Sequence, residues 1–330
     1  MSPMSKRERL EATFRGQPVD RVAVALWRHW PVDDQSAEEL ARSTVAFQQE
    51  FDFDFIKVTP SSDYCLEDWG TETVWLGAQE GTREYVRHPV QKPEDWEKLP
   101  VLDPTQGGLG RQLRCLELIG QAVGEEVPFI QTIFSPLAQA KNLAGDRLLV
   151  HMRQYPDAFH AGLETITQTT IRFIEAIKPT GIAGLFYAVQ HATYHLLSEE
   201  EYQTFGRPYD LRILEAARDC WFNLLHIHGT DIMFDLLRDY PVQAVNWHDQ
   251  ETPPSLREGM GRFPGAVVGG LSRWDTLVRG DPEEVTAQAR AAISQTGGVR
   301  FILGTGCVTP IVAPIANIRA ARRAVEGTGS

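Results

Sequence analysis

The sequence predicts an α/β protein with the fold of a (β/α)8 TIM barrel. Short apolar runs, each suited to a strand buried on both faces, alternate with longer stretches that have helical periodicity and capping residues. Eight such runs are present, which is the number of strands in this barrel. No glycine-rich dinucleotide-binding loop follows the first run, so a barrel is favoured over a doubly wound sheet. We expect a single barrel domain over residues 1–330.

The composition limits which binding partners and which cellular compartment we expect. Of the 330 residues, 42% are hydrophobic and 23% are charged, as in globular proteins with a large core. The net charge of −12 argues against binding to nucleic acid or to an anionic membrane surface. The sequence contains no apolar stretch of about 18 residues that would span a membrane. Four scattered cysteines are typical of a reducing compartment, so we expect a cytoplasmic protein.

The first half of the chain contains three predicted strands and one irregular insertion. The strands are predicted at residues 22–26, 55–58 and 128–133, and the helices at residues 5–15, 36–51 and 110–123. Two segments of alternating residue type, 71–76 and 82–87, flank a turn that contains Gly77 and Gly81. This alternation predicts a β-hairpin inserted after the second strand.

The second half of the chain alternates more regularly. Strands are predicted at residues 182–186, 222–226, 243–247, 266–270 and 299–303. Pro156 opens a long helix that ends near Lys178, and Ser198 with Glu201 forms a capping box at the start of another. Further helices are predicted from Asp231, from Asp281 and over residues 315–325.

Histidine and cysteine are concentrated after the fifth, sixth and eighth predicted strands. In a TIM barrel the active site lies at the carboxyl ends of the strands. His226 and His228 end the fifth strand, and their i, i+2 spacing places both imidazoles on one side of it. Cys307 follows the eighth strand, which completes the three ligands that a catalytic zinc takes from protein. His248, after the sixth strand, is a candidate fourth ligand.

A structural interpretation of these residues stays open. A single histidine at a strand end is more often a hydrogen-bonded structural residue than a metal ligand. Two histidines and a thiol inside a barrel, however, need partners that apolar neighbours cannot supply, and a metal ion would satisfy all three. The sequence therefore supports the hypothesis of a zinc site.

Four motifs, spread over nearly the whole chain, resemble those of the uroporphyrinogen decarboxylase-like barrels. They are Arg7–Leu10 with Asp20–Val22, Gly269–Arg273, Gly304–Cys307 and Pro314–Ile318. This family includes uroporphyrinogen decarboxylase and the zinc-dependent methylcobamide:coenzyme M methyltransferases. The resemblance implies a TIM barrel with an active site at its carboxyl end.

Resemblance to the decarboxylases implies roles for four residues. Arg28 is similar in position to an arginine that holds substrate carboxylates, and Asp63 is the nearest candidate for the catalytic aspartate. Asn142 stands in place of a tyrosine, and Tyr187 stands in place of the aspartate of a Phe-Asp-Ser motif. Most of the cations that a polycarboxylate requires are missing, which argues against decarboxylation of uroporphyrinogen.

Resemblance to the methyltransferases implies a zinc site. That branch uses His-x-Cys after the fifth strand and a cysteine after the eighth, which match His226 and Cys307. His228 departs from the pattern because it replaces a cysteine ligand. Imidazole in place of sulfur makes zinc more Lewis acidic, so activation of a thiol and activation of water both stay open.

The function predicted from these resemblances is zinc-dependent methyl transfer between a corrinoid and a small thiol-type acceptor. No corrinoid-binding domain is fused to the barrel, so we expect the corrinoid to be carried by a separate partner protein. A homodimer is compatible with the sequence. The alternatives are a decarboxylase or other lyase that acts on a carboxylic acid, and a non-catalytic protein that binds a corrinoid or tetrapyrrole.

Overall fold

Eight parallel strands form the centre of the computed structural model, which describes residues 2–329. A separate antiparallel pair consists of β3 (Glu72–Val74) and β4 (Glu84–Arg87). The eight parallel strands are β1 (Ala23–Val24), β2 (Ile56–Val58), β5 (Phe129–Phe134), β6 (Gly184–Val189), β7 (Leu224–Ile227), β8 (Ala244–Trp247), β9 (Ala266–Leu271) and β10 (Phe301–Thr305).

The strands follow the circular order of a TIM barrel, which confirms the predicted fold class. The order in the sheet is β1-β10-β9-β8-β7-β6-β5-β2, and every pairing is parallel. Asp54 joins the two ends of this sheet. Its backbone N–H donates to the Val24 carbonyl at 2.9 Å, and its carboxylate accepts from the Val24 N–H at 2.8 Å.

Twelve α-helices precede, connect or follow the strands in the described part of the chain. They are α1 (Lys6–Phe14), α2 (Ala37–Phe51), α3 (Gly107–Val123), α4 (Pro136–Ala144), α5 (Leu148–Gln154), α6 (Pro156–Ile177), α7 (Glu199–Phe205), α8 (Arg207–Ala216), α9 (Phe234–Leu237), α10 (Leu256–Arg262), α11 (Pro282–Thr296) and α12 (Ile315–Arg323). The predicted capping box at Ser198 and Glu201 is present. No helix within residues 2–329 combines the length and the hydrophobicity of a membrane span.

Some predicted helices differ from the observed ones. The helix predicted from Asp231 is a single turn that begins at Phe234, because Asp231 has a φ of 50°, in the left-handed region. Helices α4, α5 and α10 were not predicted. The start of α4 has a sequence signal, since Ser135 caps the helix and Pro136 occupies its first position.

The predicted hairpin is confirmed and lies over the mouth of the barrel. Its strands β3 and β4 are antiparallel, with a register irregularity between Glu72 and Thr73. The backbone carbonyl of Gln79, in the turn, accepts from the Ile311 N–H at 2.8 Å. The hairpin turn is therefore attached to the loop that follows β10.

Candidate metal centre

The carboxyl ends of β7, β8 and β10 bring four nitrogen and sulfur ligands together. His226 lies in β7 and His228 directly after it, while His248 and Cys307 follow β8 and β10. One ligand atom from each residue lies within 4.8 Å of all the others. β7 and β8 are neighbours in the parallel sheet and β9 alone separates β8 from β10, so their carboxyl ends, and the side chains that follow them, meet at one edge. The four residues predicted as metal ligands thus form one cluster.

The separations of His228 from the other three ligands are close to those of a metal site. His228 Nδ1 lies 3.4 Å from His226 Nε2, 3.3 Å from His248 Nε2 and 3.8 Å from Cys307 Sγ. The two N···N distances exceed the usual hydrogen-bond range of about 2.7–3.2 Å. A tetrahedral ion with usual zinc bond lengths separates two nitrogens by about 3.3 Å and a nitrogen from a sulfur by about 3.6 Å. The cluster is compatible with one tetrahedral metal ion.

Asn246 fixes the tautomer of His226. The Asn246 side-chain N–H2 donates to the carbonyls of Val268 and Thr305 at 2.8 and 2.9 Å, so its Oδ1 must face His226 Nδ1, 2.7 Å away. Because an amide oxygen only accepts, Nδ1 carries the proton and Nε2 presents its lone pair to the cluster. In the parallel pairing of β7 with β8, Asn246 lies directly beside His226.

His248 is oriented by a carboxylate in a similar way. Its Nδ1 donates to Glu251 Oε2 at 3.2 Å, which leaves Nε2 free to bind a metal. Glu251 also lies 3.5 Å from Arg273, and Arg273 donates to Glu80 in the hairpin turn at 2.8 Å. A chain of charged groups therefore connects the cluster with the hairpin.

Electrostatics favour a thiolate at Cys307. Burial opposes ionisation of the thiol, but the neighbouring His226, His228 and His248 outweigh burial and hold the pKa of Cys307 well below its usual range. Burial lowers the pKa of His226, which favours the neutral imidazole. Burial opposes protonation of His248, but the neighbouring Cys307 outweighs burial and raises the pKa of His248. Thiolate and neutral imidazole are the forms in which cysteine and histidine bind a divalent ion, so metal binding would release a proton carried by His248.

A cavity of about 120 Å³ opens beside the cluster. His226, His228 and Cys307 contribute to its wall. The remaining wall is formed by β1, β2, β5, β6 and the loops that follow them, with the hairpin turn. These lining residues include Trp27, His29, Lys57, Thr59, Ser62, Glu80, Thr132, Phe134, Phe186, Ala188 and Gln190. The cavity gives a small molecule access to the cluster.

The four residues implicated by resemblance to the decarboxylases do not line this cavity. Arg28 packs over the Trp30 ring at 4.8 Å, and burial lowers its pKa. The Asp63 carboxylate accepts a hydrogen bond from the Thr73 hydroxyl in the hairpin, and the Asn142 side chain donates to the Tyr85 hydroxyl at 3.0 Å.

Tyr187 points away from the cavity for a reason visible in the strand pattern. Phe186 and Ala188 line the cavity, and successive side chains of a strand point to opposite faces. The fully buried Tyr187 therefore faces the helices, where its hydroxyl donates to Asp210 in α8 at 2.5 Å. The structure does not bring Tyr187 to the candidate metal centre.

Sequence reasoning missed Lys57 and the orienting residue Glu251. Lys57 lies in the middle of β2, and its charge within an apolar strand buried on both faces was a signal in the sequence. Glu251 carried no such signal, because it is a polar residue in a polar loop. Its role depends on the turn after β8, which brings it within reach of His248.

Comparisons with known proteins identify the protein family of this chain. A family model described as Uroporphyrinogen decarboxylase (URO-D) matches residues 5–328. The methylcobamide:CoM methyltransferase MtbA of Methanosarcina mazei is 23% identical, over 97% of each chain. The uroporphyrinogen decarboxylase of Syntrophotalea carbinolica is 29% identical, over 68% of this chain and 67% of its own. A solved methyltransferase structure from Methanosarcina mazei has a TM-score of 0.84 at 19% identity, over 98% of each chain. The predictions of the family and of an enzyme are confirmed.

Proposed function

The chain belongs to the uroporphyrinogen decarboxylase (URO-D) family, and within that family we propose that it is a zinc-dependent methyltransferase. The methyl group would move between a corrinoid on a separate partner protein and a small thiol acceptor. The observation that carries the proposal is the cluster of His226, His228, His248 and Cys307. Relatives similar over 97% of the chain are named methylcobamide:CoM methyltransferases, which supports the same assignment.

Zinc fits the ligand set of this cluster. Three imidazole nitrogens and one thiolate are borderline and soft ligands, which zinc accepts in tetrahedral geometry, whereas magnesium and calcium prefer oxygen. To take the sulfur of a thiol acceptor, bound zinc would have to release one of these four ligands or accept a fifth, and its positive charge would then keep that thiol deprotonated at neutral pH. Asn246 and Glu251 would hold His226 and His248 in the tautomers that bind the ion.

The protein would assist the transfer by positioning the acceptor and by keeping water away from it. The cavity would hold the acceptor with its sulfur at the cluster, and the hairpin turn, which includes Glu80, lines part of the cavity. In the transfer, the sulfur lone pair forms the new S–C bond as the cobalt–carbon bond breaks, and that bond's electron pair remains on cobalt. The thiol proton passes to solvent. Fixing the sulfur in line with the methyl carbon lowers the entropic part of the barrier.

The size of the cavity argues against decarboxylation of uroporphyrinogen and against binding of a tetrapyrrole inside the barrel. Its volume of about 120 Å³ corresponds to roughly four water molecules at about 30 Å³ each. A tetrapyrrole macrocycle does not fit in that space, whereas an acceptor with a short carbon chain does. The corrinoid donor would accordingly present its methyl group from outside, at the barrel mouth.

Metal content and methyl transfer test this proposal together. Protein purified without chelator is expected to contain about one zinc per chain, and Cys307→Ala or His226→Ala should lose most of it because each removes a ligand. Cys115→Ala, which removes a buried free cysteine outside the cluster, serves as the matched control. Transfer from free methylcobalamin to 2-mercaptoethanesulfonate is followed by the absorbance of the corrinoid. Wild-type protein that neither contains nor takes up zinc would refute the assignment.

A further inference from the structure

Arg273 is a buried cation that lies between two carboxylates from distant parts of the chain. It is only 7% exposed. Its Nη1 donates to Glu80 in the hairpin turn at 2.8 Å, and its Nη2 lies 3.5 Å from Glu251 Oε1 in the loop after β8. The other oxygen of Glu251 accepts from His248 Nδ1 at 3.2 Å. The hairpin turn and one of the four candidate ligands are therefore connected through two side chains.

The hairpin turn also packs tightly against the loop that carries Cys307. The Gln79 carbonyl accepts from the Ile311 N–H, four residues after Cys307, at 2.8 Å. Gly81 has a φ of 82°, and a Cβ atom added there would lie 2.7 Å from His29 Cβ and 2.9 Å from Ile311 Cγ2. Only glycine fits this close approach without strain. The turn is thus seated directly on the loops after β1 and β10.

The two histidines with orienting partners depend on those partners differently. His226 is held by Asn246, a completely buried side chain on the neighbouring strand. His248 is held by Glu251, whose side chain is 42% exposed and belongs to a loop. An exposed carboxylate is free to turn into solvent unless a second group holds it. Within residues 2–329, Arg273 is the one arginine or lysine in ion-pair contact with Glu251.

We propose that Arg273 is a positioning residue that couples docking of the hairpin to metal binding by His248. The inference rests on the proposed function for the presence of zinc at the cluster. A metal on Nε2 fixes the ring of His248, so that its Nδ1–H holds Glu251 in place for Arg273. Arg273 in turn holds Glu80 and keeps the hairpin docked at the mouth of the barrel. Coupling between two equilibria is reciprocal, so a docked hairpin must tighten metal binding by the factor by which the metal favours docking.

Amide hydrogen exchange with and without zinc tests the coupling at the hairpin. Zinc is expected to slow exchange of residues 72–87 in wild type by about fivefold or more, the lower end of the usual range for coupled sites. Arg273→Met should abolish this effect, because the connection between Glu251 and the hairpin is lost. Arg279→Met is the matched control, since it removes an exposed arginine of the same loop, paired with Asp275, and should keep the effect.

The zinc affinity of Arg273→Met tests the same coupling at the metal. By reciprocity, the variant is expected to bind zinc more weakly by a similar factor, measured by competition with a chelator of known affinity. Loss of a positive charge near the cluster would by itself tighten zinc binding, so the direction of the change distinguishes positioning from simple electrostatics. An unchanged or higher zinc affinity in Arg273→Met would overturn the coupling.

The outcomes separate the coupling from the proposed function. Equal protection of the hairpin by zinc in wild type and Arg273→Met would overturn the coupling and leave the methyltransferase intact. Protection that is lost in Arg273→Met, in a protein without methyl transfer activity, would support the coupling and refute the methyltransferase. Should Arg273→Met fail to fold, Glu251→Gln keeps an acceptor for His248 and removes the charge that pairs with Arg273. It should also lose the protection, and retained protection would count against the coupling.

Discussion

At the scale of single residues, Asn246 determines which nitrogen of His226 is available to a metal. Replacement by leucine keeps the volume but removes the acceptor for His226 Nδ1, so the ring can turn or take the other tautomer. We expect Asn246→Leu to raise the zinc dissociation constant by about 10- to 100-fold, which is the usual effect of losing such a partner. Competition with a chelator of known affinity measures it.

Asn317 provides a matched control for this substitution. It is equally buried, and its side chain also donates to two carbonyls, those of Leu277 and Gly280, at 3.0 and 2.8 Å. Asn317→Leu should destabilise the fold while zinc affinity is retained. An equal loss of zinc in both variants would mean that Asn246 acts only through stability.

At the scale of secondary-structure elements, Glu80 supplies the buried ion pair among the contacts that attach the hairpin of β3 and β4 to the barrel. Its ion pair with Arg273 is largely buried on the arginine side, where the side chain is 8% exposed. Glu80→Ala is expected to speed amide hydrogen exchange in residues 72–87 by about tenfold or more, because a charged hydrogen bond that holds the hairpin is lost.

The same hairpin contains a suitable control. Glu72 pairs with Arg87, and both side chains are about 60% exposed. A pair of this kind contributes roughly 0–1 kcal/mol, so Glu72→Ala should change exchange very little. Comparable acceleration in the two variants would show that the Glu80 pair is not a specific attachment.

The residue patterns of strands and loops also explain which features of the fold and the site could be predicted from the sequence. The barrel strands were predictable because continuous apolar runs have few other interpretations, and the hairpin because its residue types alternate. The ligand cluster followed from the rule that strand ends share one edge of the barrel. Tyr187 could be placed only with the register of β6 in hand, since a shift of one residue reverses its direction. Pairings between distant loops, such as Arg273 with Glu80, leave no local sequence pattern.

At the scale of the whole molecule, Asp54 closes the barrel between its first two strands. Its carboxylate is completely buried and accepts from Arg9 at 2.6 Å, from Arg21 at 2.7 Å and from the Val24 N–H. Asp54→Asn would leave the Arg21 guanidinium without a carboxylate partner and remove one of the two carboxylates that pair with Arg9, which keeps Asp20. We expect a loss of about 3–5 kcal/mol of stability, measured by urea denaturation.

Asp52, two residues earlier, provides the comparison. Its carboxylate is 60% exposed and pairs with Lys6 and Arg322 at the surface. Asp52→Asn is expected to cost about 1 kcal/mol or less. If the two variants had similar midpoints, closure of the barrel would not depend on the buried charge of Asp54.

The circular order of the strands brings separate parts of the chain to different sides of the mouth. The cluster and its orienting residues come from β7, β8, β10 and the loops after them, whereas Lys57, Trp27 and the hairpin come from the first quarter of the chain. Exchange of that amino-terminal quarter between relatives would replace this wall and keep all four ligands, with Glu80 as the exchanged residue that contacts the metal-binding side through Arg273. Chimeras joined between β4 and β5 are thus a direct way to transfer acceptor preference within this barrel family.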